Sequence, residues 1–103
     1  MTADSAHIDD RDALDPTALR RRRIRVRAWR RGMREMDLIL GGFADARLDK
    51  LTEEELTQFE ALLDAPDNDA LAWFCAGAAP GAQDTLLFRK ILAFHVEKRA
   101  DAR

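Results

Sequence analysis

A chain of 103 residues with 17 basic and 19 acidic side chains, no tyrosine and few β-branched residues has room for one small core of amphipathic helices and little room for a buried catalytic cavity. Its single cysteine excludes an internal disulfide and a multi-cysteine metal site and suits a reducing compartment, and no apolar run approaches the ~20 residues that cross a bilayer. The net charge of −2 conceals a polarity, because residues 1–15 sum to −4, residues 16–35 to +8 and the remainder to −6, which predicts a localised positive surface rather than a polyanion-binding molecule.

Residues 1–14 are acidic and aperiodic, with Ile8 and Leu14 their only large aliphatic side chains, and read as a disordered tail. His7 has no second ligand at helical spacing and is not expected to hold a metal. The start MTADSAHIDDRDALD, with five aspartates and one arginine, is neither a secretory signal nor an arginine-rich presequence, so the expected location is the cytoplasm of a bacterium.

Residues 15–103 read as one helical domain. Asp15 before Pro16 supplies an N-cap and a first-turn proline, so a first helix is predicted from there to about Arg31. Leu19, Val26 and Trp29, with Ile24 and Ala28 nearby, form its expected apolar stripe. Gly32 is expected to stop this helix in a left-handed cap, and a second helix to open at Met33 with Glu35 in its first turn. Met36, Leu40, Phe43 and Ala44 step along one side of it, with Leu38 and Ile39 widening the stripe. Gly41 and Gly42 are expected to kink it.

Thr52 followed three residues later by Glu55 is a capping box for a third helix to about Asp64, with Leu56, Phe59, Leu62 and Leu63 buried. Pro66 ends it, and Asp67 is expected to cap a short fourth helix bearing Leu71, Trp73 and Phe74, which Gly77 closes. A last helix from about Ala82 to Arg99 buries Leu87, Phe88, Ile91, Leu92 and Phe94. The predicted fold is all-α, a small five-helix bundle.

Catalytic signatures are missing: no phosphate-cradling glycine loop, no serine with a usable histidine, no cluster of metal ligands. Cys75 reads as a small buried apolar side chain and His95 as a partly buried helix residue. Glu53, Glu54 and Glu55 complement the positive end of their helix. The stretch RRRRIRVRAWRR admits a nucleic-acid reading, with arginines on phosphates and Trp29 as a stacking platform. A basic face docking an acidic protein partner fits the acidic remainder of the chain better. A generic helical adaptor or nucleic-acid-binding protein is the alternative class.

The segment RRGMREMDLIL resembles the RGxxE signature of the SdhE-like succinate dehydrogenase assembly factors, matching at Arg31, Gly32 and Glu35. Downstream, LTEEELTQFEALLDAPDNDALAWF is similar to that family's acidic helix, aspartate-rich turn and tryptophan-bearing helix, so the likeness runs over about residues 20–99. The resemblance implies a non-enzymatic five-helix bundle. Its implied role is to promote covalent attachment of FAD to a histidine of the succinate dehydrogenase flavoprotein subunit, and by extension of the fumarate reductase flavoprotein. Arg31, Gly32, Arg34 and Glu35 are then the expected partner-binding residues. With no dinucleotide fingerprint in the chain, FAD is expected to belong to the partner rather than to be bound here, and neither nucleic acid nor membrane is an expected partner.

Overall fold

The computed structural model describes residues 15–101, which form five α-helices: α1 (Pro16–Trp29), α2 (Arg34–Arg47), α3 (Glu53–Leu63), α4 (Asp67–Ala76) and α5 (Leu86–Asp101). Short 3₁₀ turns at Leu48–Lys50 and Gly81–Gln83 complete the path, and no strand occurs among the described residues. The acidic tail expected for residues 1–14, His7 included, lies outside the described residues.

The helix starts follow local capping chemistry. Asp15 accepts from Thr17 N at 3.0 Å ahead of Pro16, and Thr52 and Glu55 complete the reciprocal capping box of α3. Gly77, at φ +78°, closes α4 in the left-handed conformation, with its N–H on Trp73 O. Asp67, expected as the cap of α4, is instead its first residue behind Pro66, and its carboxylate is engaged by Arg31. The last helix begins at Leu86 rather than Ala82, because Thr85 Oγ1 accepts from Phe88 N at 3.0 Å and residues 81–83 are wound into a 3₁₀ turn.

The core lies between the five helices, with α1 contributing Ile24 and Ala28. Phe43 sets its ring 6.1 Å from Phe59 and 5.7 Å from Phe94, and Phe74 stacks on Phe88 at 4.7 Å, tying α2 to α3 and α5, and α4 to α5. The residues expected to be buried on α3 are all buried, as are Met36, Leu40, Phe43 and Ala44 on α2. Leu38 departs from expectation: it is 56 % exposed.

Helix α1 corrects the sequence reading more deeply. Its buried side chains are Ile24 and Ala28, one turn apart, whereas Val26 is 45 % exposed and Trp29 lies at the surface. Cys75, expected to be buried, is exposed. Helix α2 runs unbroken through Gly41 and Gly42, so the glycines do not interrupt it. Gly41 serves contact instead: a Cβ there would meet Trp29 Cδ2 at 2.3 Å, and the indole therefore rests on bare backbone.

Candidate functional site

The turn joining α1 to α2 is built from opposed local demands. Helix α1 ends at Trp29, two residues before the predicted stop, because the N–H of Arg31 is drawn away to Asp37 Oδ1 at 2.8 Å. Gly32 follows at φ +85°, a backbone state that costs an L side chain about 1–2 kcal/mol. A Cβ at Gly32 would meet nothing within 4 Å, so the glycine answers backbone conformation and leaves open space in front of the chain. Met33 turns inward and packs partly buried against the core. Helix α2 then opens with Glu35 and Asp37 in its first turn, where their charge complements the helix dipole.

Arg31 points into the fold. Its Nε donates to Asp67 Oδ1 at 2.8 Å, Nη1 to Leu63 O at 2.7 Å and Nη2 to Ala65 O at 3.1 Å, with the side chain only 13 % exposed. One guanidinium thereby satisfies the C-terminal carbonyl groups of α3 and holds the start of α4, a use of its planar fork that lysine cannot copy. Arg34 and Glu35, by contrast, are exposed and have no hydrogen bond or ion pair among the described residues. Of the four expected partner-binding residues, Gly32, Arg34 and Glu35 thus lie at the surface, and Arg31 anchors the turn from beneath.

The arginines of α1 are largely satisfied within the chain. Arg20 donates to Glu53, Thr57 and Glu60, with contacts of 2.6–3.0 Å. Arg21 reaches the carbonyls of Leu48 and Leu51. Arg27 pairs with Asp64 at 2.8 Å, and Arg25 lies 3.4 Å from Asp45. The hydrogen bond from Arg20, with its charge, depresses the Glu60 carboxyl pKa, and the same contact raises that of Arg20. The +8 block and the acidic remainder therefore answer each other inside the molecule. The basic face expected to meet an acidic partner, or nucleic acid, is mostly a strap laid across α3. Trp29 is no free stacking platform either, since its ring covers Gly41 and its Nε1 donates to Asp45 at 3.2 Å.

Beside the motif turn lies a feature that sequence reading missed. An apolar groove of about 570 Å³ runs between α2, α4 and α5, with Glu35 on its rim, Leu38 and Val96 at its mouth, and Phe74 and Leu92 deeper in. Cys75 and His95 also line it. Burial, followed by the charge of Arg99, pushes the His95 pKa down, so the imidazole favours its neutral form. The one signal available in the sequence was the excess width of the α2 stripe: Leu38 added to Ile39 and Leu40 is more apolar surface than one core face can bury.

Chemically, the site offers bare backbone, a carboxylate and a guanidinium that have no partner among the described residues, and an adjoining apolar trough. No group of three or more histidine, cysteine, aspartate or glutamate side chains suited to a metal occurs among the described residues, and none of the described helices is long and apolar enough to cross a membrane.

Comparison with known proteins gives the chain a family and relatives. The family model described as flavinator of succinate dehydrogenase matches residues 22–95. The chain is 46% identical over 61 residues to the FAD assembly factor SdhE of Acetobacter pasteurianus, covering 59% of this chain and 56% of that protein. It is 42% identical over 53 residues to the mitochondrial succinate dehydrogenase assembly factor 2 of Dictyostelium discoideum, 52% of this chain and 38% of that one. With the Saccharomyces cerevisiae protein of the same name the identity is 39% over 59 residues, 57% and 36% of the two chains. The matched stretch thus spans about half or less of each of these relatives. No solved structure matches.

Proposed function

The chain belongs to the flavinator of succinate dehydrogenase family, and from that premise we propose that it promotes covalent attachment of FAD to the succinate dehydrogenase flavoprotein subunit by binding that subunit before assembly. The fumarate reductase flavoprotein is included in the proposal as a related partner. The observation that carries the reading is the turn at Gly32, whose left-handed backbone faces open space beside the charges of Arg34 and Glu35, which have no partner among the described residues. A partner surface can approach such a backbone closely, and the two opposite charges fix its register. Arg31 contributes by holding the turn in place through Asp67 and the end of α3.

The proposed action is non-catalytic. A protein that binds one conformation of the subunit more tightly than the others raises the population of that conformation, by no more than its differential affinity allows. If the favoured conformation brings the acceptor histidine to the flavin, attachment accelerates with no reacting group from this chain. FAD stays with the flavoprotein throughout, in keeping with the lack of a dinucleotide fingerprint here. The proposed compartment is the bacterial cytoplasm; the greater identity to the Acetobacter relative than to the two mitochondrial ones supports the bacterial part of that reading.

Co-expression with the flavoprotein subunit, scored by flavin fluorescence of that subunit in a denaturing gel, tests the function. Covalent flavin is expected to rise with the chain present, and an unchanged yield would overturn the reading. Titration of free FAD into the purified chain is expected to leave its melting temperature unchanged, because only a ligand of the native state shifts it. A saturable rise at micromolar FAD would instead make the chain a carrier.

A further inference from the structure

We propose that the apolar groove beside the motif turn receives an amphipathic helix of the flavoprotein subunit, one that carries a basic residue next to its apolar face. The inference rests on the reading above for the identity of the partner and adds where and how that partner is gripped.

Three helices line the groove, with α4 contributing Leu71, Phe74 and Cys75, and two of them, α2 and α5, present side chains at helical spacing beside it. Glu35, Leu38 and Ile39 come from α2, and Leu92, Val96 and Arg99 come from α5. Residues three and four apart form ridges, and two ridges with a trough between them accept the ridge of a third helix. The volume, about 570 Å³, lies within the ~300–1,000 Å³ range of well-formed binding clefts, enough for several aliphatic side chains. Leu38 and Val96, each 56 % exposed, flank the opening, where neither is covered by another part of the described chain.

Backbone chemistry selects the shape of the occupant. An extended segment would carry its N–H and C=O groups into a trough whose lining is mainly aliphatic and aromatic, and they would lose their water without replacement. A helix satisfies its own backbone and presents only side chains.

Charge selects its flank and ties the groove to the motif. Glu35 belongs both to the motif turn and to the groove rim, and it has no partner among the described residues. A lysine or arginine on the occupant meets that carboxylate as the apolar face seats. Arg99, also on the rim without a hydrogen bond or ion pair among the described residues, is matched by an acidic residue. The groove therefore continues the surface of Gly32 and Arg34 rather than forming a separate site.

The test uses the full chain and the purified flavoprotein subunit. Leu38→Glu and Val96→Glu place a good helix former on exposed positions, so both are expected to melt like wild type while binding the subunit at least tenfold more weakly. Leu86→Glu, equally exposed but outside the groove, is expected to bind normally. The native Cys75 supplies a second readout without mutation, since it is the only cysteine of the chain and lines the groove: its alkylation by iodoacetamide is expected to slow at least tenfold in the complex.

Wild-type binding by both groove variants, with Gly32→Arg still losing the subunit, would overturn the groove and leave the functional reading intact. Full Cys75 reactivity in a formed complex would overturn it as well. Protection of Cys75 by the chain alone at rising concentration would assign the groove to a second copy instead. Failure of the wild-type chain to bind the subunit would overturn both proposals together.

Discussion

The indole of Trp29 occupies the place a Cβ of Gly41 would take: the Cδ2, Cε2 and Cε3 atoms of the ring lie 2.3, 2.4 and 2.8 Å from that position. Adjacent Gly42 has nothing within 4 Å of its own. The two glycines of one helix turn therefore respond to alanine with opposite signs. Gly42→Ala is expected to stabilise by up to about 1 kcal/mol through helix propensity alone. Gly41→Ala gains the same propensity but displaces the indole and its bond to Asp45, for a net loss of about 1–2 kcal/mol. Thermal melting reads both, and a red-shifted Trp29 emission in a Trp73→Phe background reports the displacement.

Arg31 is expected to behave as a stability residue. Arg31→Lys removes the fork that spans Asp67, Leu63 O and Ala65 O, and a loss of about 2–3 kcal/mol is expected from charged hydrogen bonds in a mostly buried setting. Asp67→Asn keeps an acceptor and is expected to cost less, about 1 kcal/mol. Were Arg31→Lys to melt like wild type yet fail in flavinylation, Arg31 would be a direct contact rather than an anchor.

Gly32→Arg and Glu35→Ala separate fold from function. The left-handed φ makes any L side chain at position 32 costly by about 1–2 kcal/mol, while the empty surroundings add no clash. Glu35 is exposed and unpaired among the described residues, so its loss is expected to change stability by less than about 0.5 kcal/mol. Both variants are expected to melt as folded proteins and to lose most of the covalent flavin on the co-expressed subunit. Wild-type flavin yield from both would move the working surface elsewhere.

Acid titration is expected to expose the pair formed by Glu55 and Lys90. The buried Glu55 carboxyl is held below its ordinary value of 4.5, first by the hydrogen bond from Lys90 and then by the backbone N–H of Thr52. The unfolded chain thus binds the proton more tightly, so this carboxylate contributes full stability above about pH 5 and loses it as pH falls through the depressed value. Glu55→Gln is expected to melt lower at pH 7 and to approach wild type as pH falls below about 5. Glu60, depressed by Arg20, adds a slope of the same sign, which the difference between the two proteins removes.

Much of the fold was legible because its signals are local. The Thr52–Glu55 capping box, the left-handed glycines at 32 and 77, and the 3.6-residue period of Met36, Leu40, Phe43 and Ala44 each depend on neighbours in sequence. Helix α1 misled for a long-range reason. Val26 and Trp29 are as apolar as any core residue, but the helix is rotated so that Ile24 and Ala28 face inward while Arg20, Arg27 and Arg31 reach acids 33–40 residues away. No periodicity encodes such pairings. At the candidate site, the glycine turn and its exposed charges were readable from the motif. The inward course of Arg31, the Asp37 bond and the groove needed three helices to be placed together.

Attachment of α1 to α3 mainly by charge has a consequence for the order in which the molecule comes apart. Its fully buried side chains are Ile24 and Ala28 alone, and the rest of its hold on α3 comes from ion pairs and arginine hydrogen bonds that salt screens over about 8 Å at physiological ionic strength. The phenylalanine cluster joining α2 to α5 has no such sensitivity. The chain is therefore expected to be graded, with the opening free energy of the outer helix falling as ionic strength rises and the inner unit opening only globally. The Gly32 turn sits on the seam between them. Amide hydrogen exchange in α1 is expected to quicken with added salt while that in α3 and α5 is not, and the order of the turn to follow the helix that precedes it.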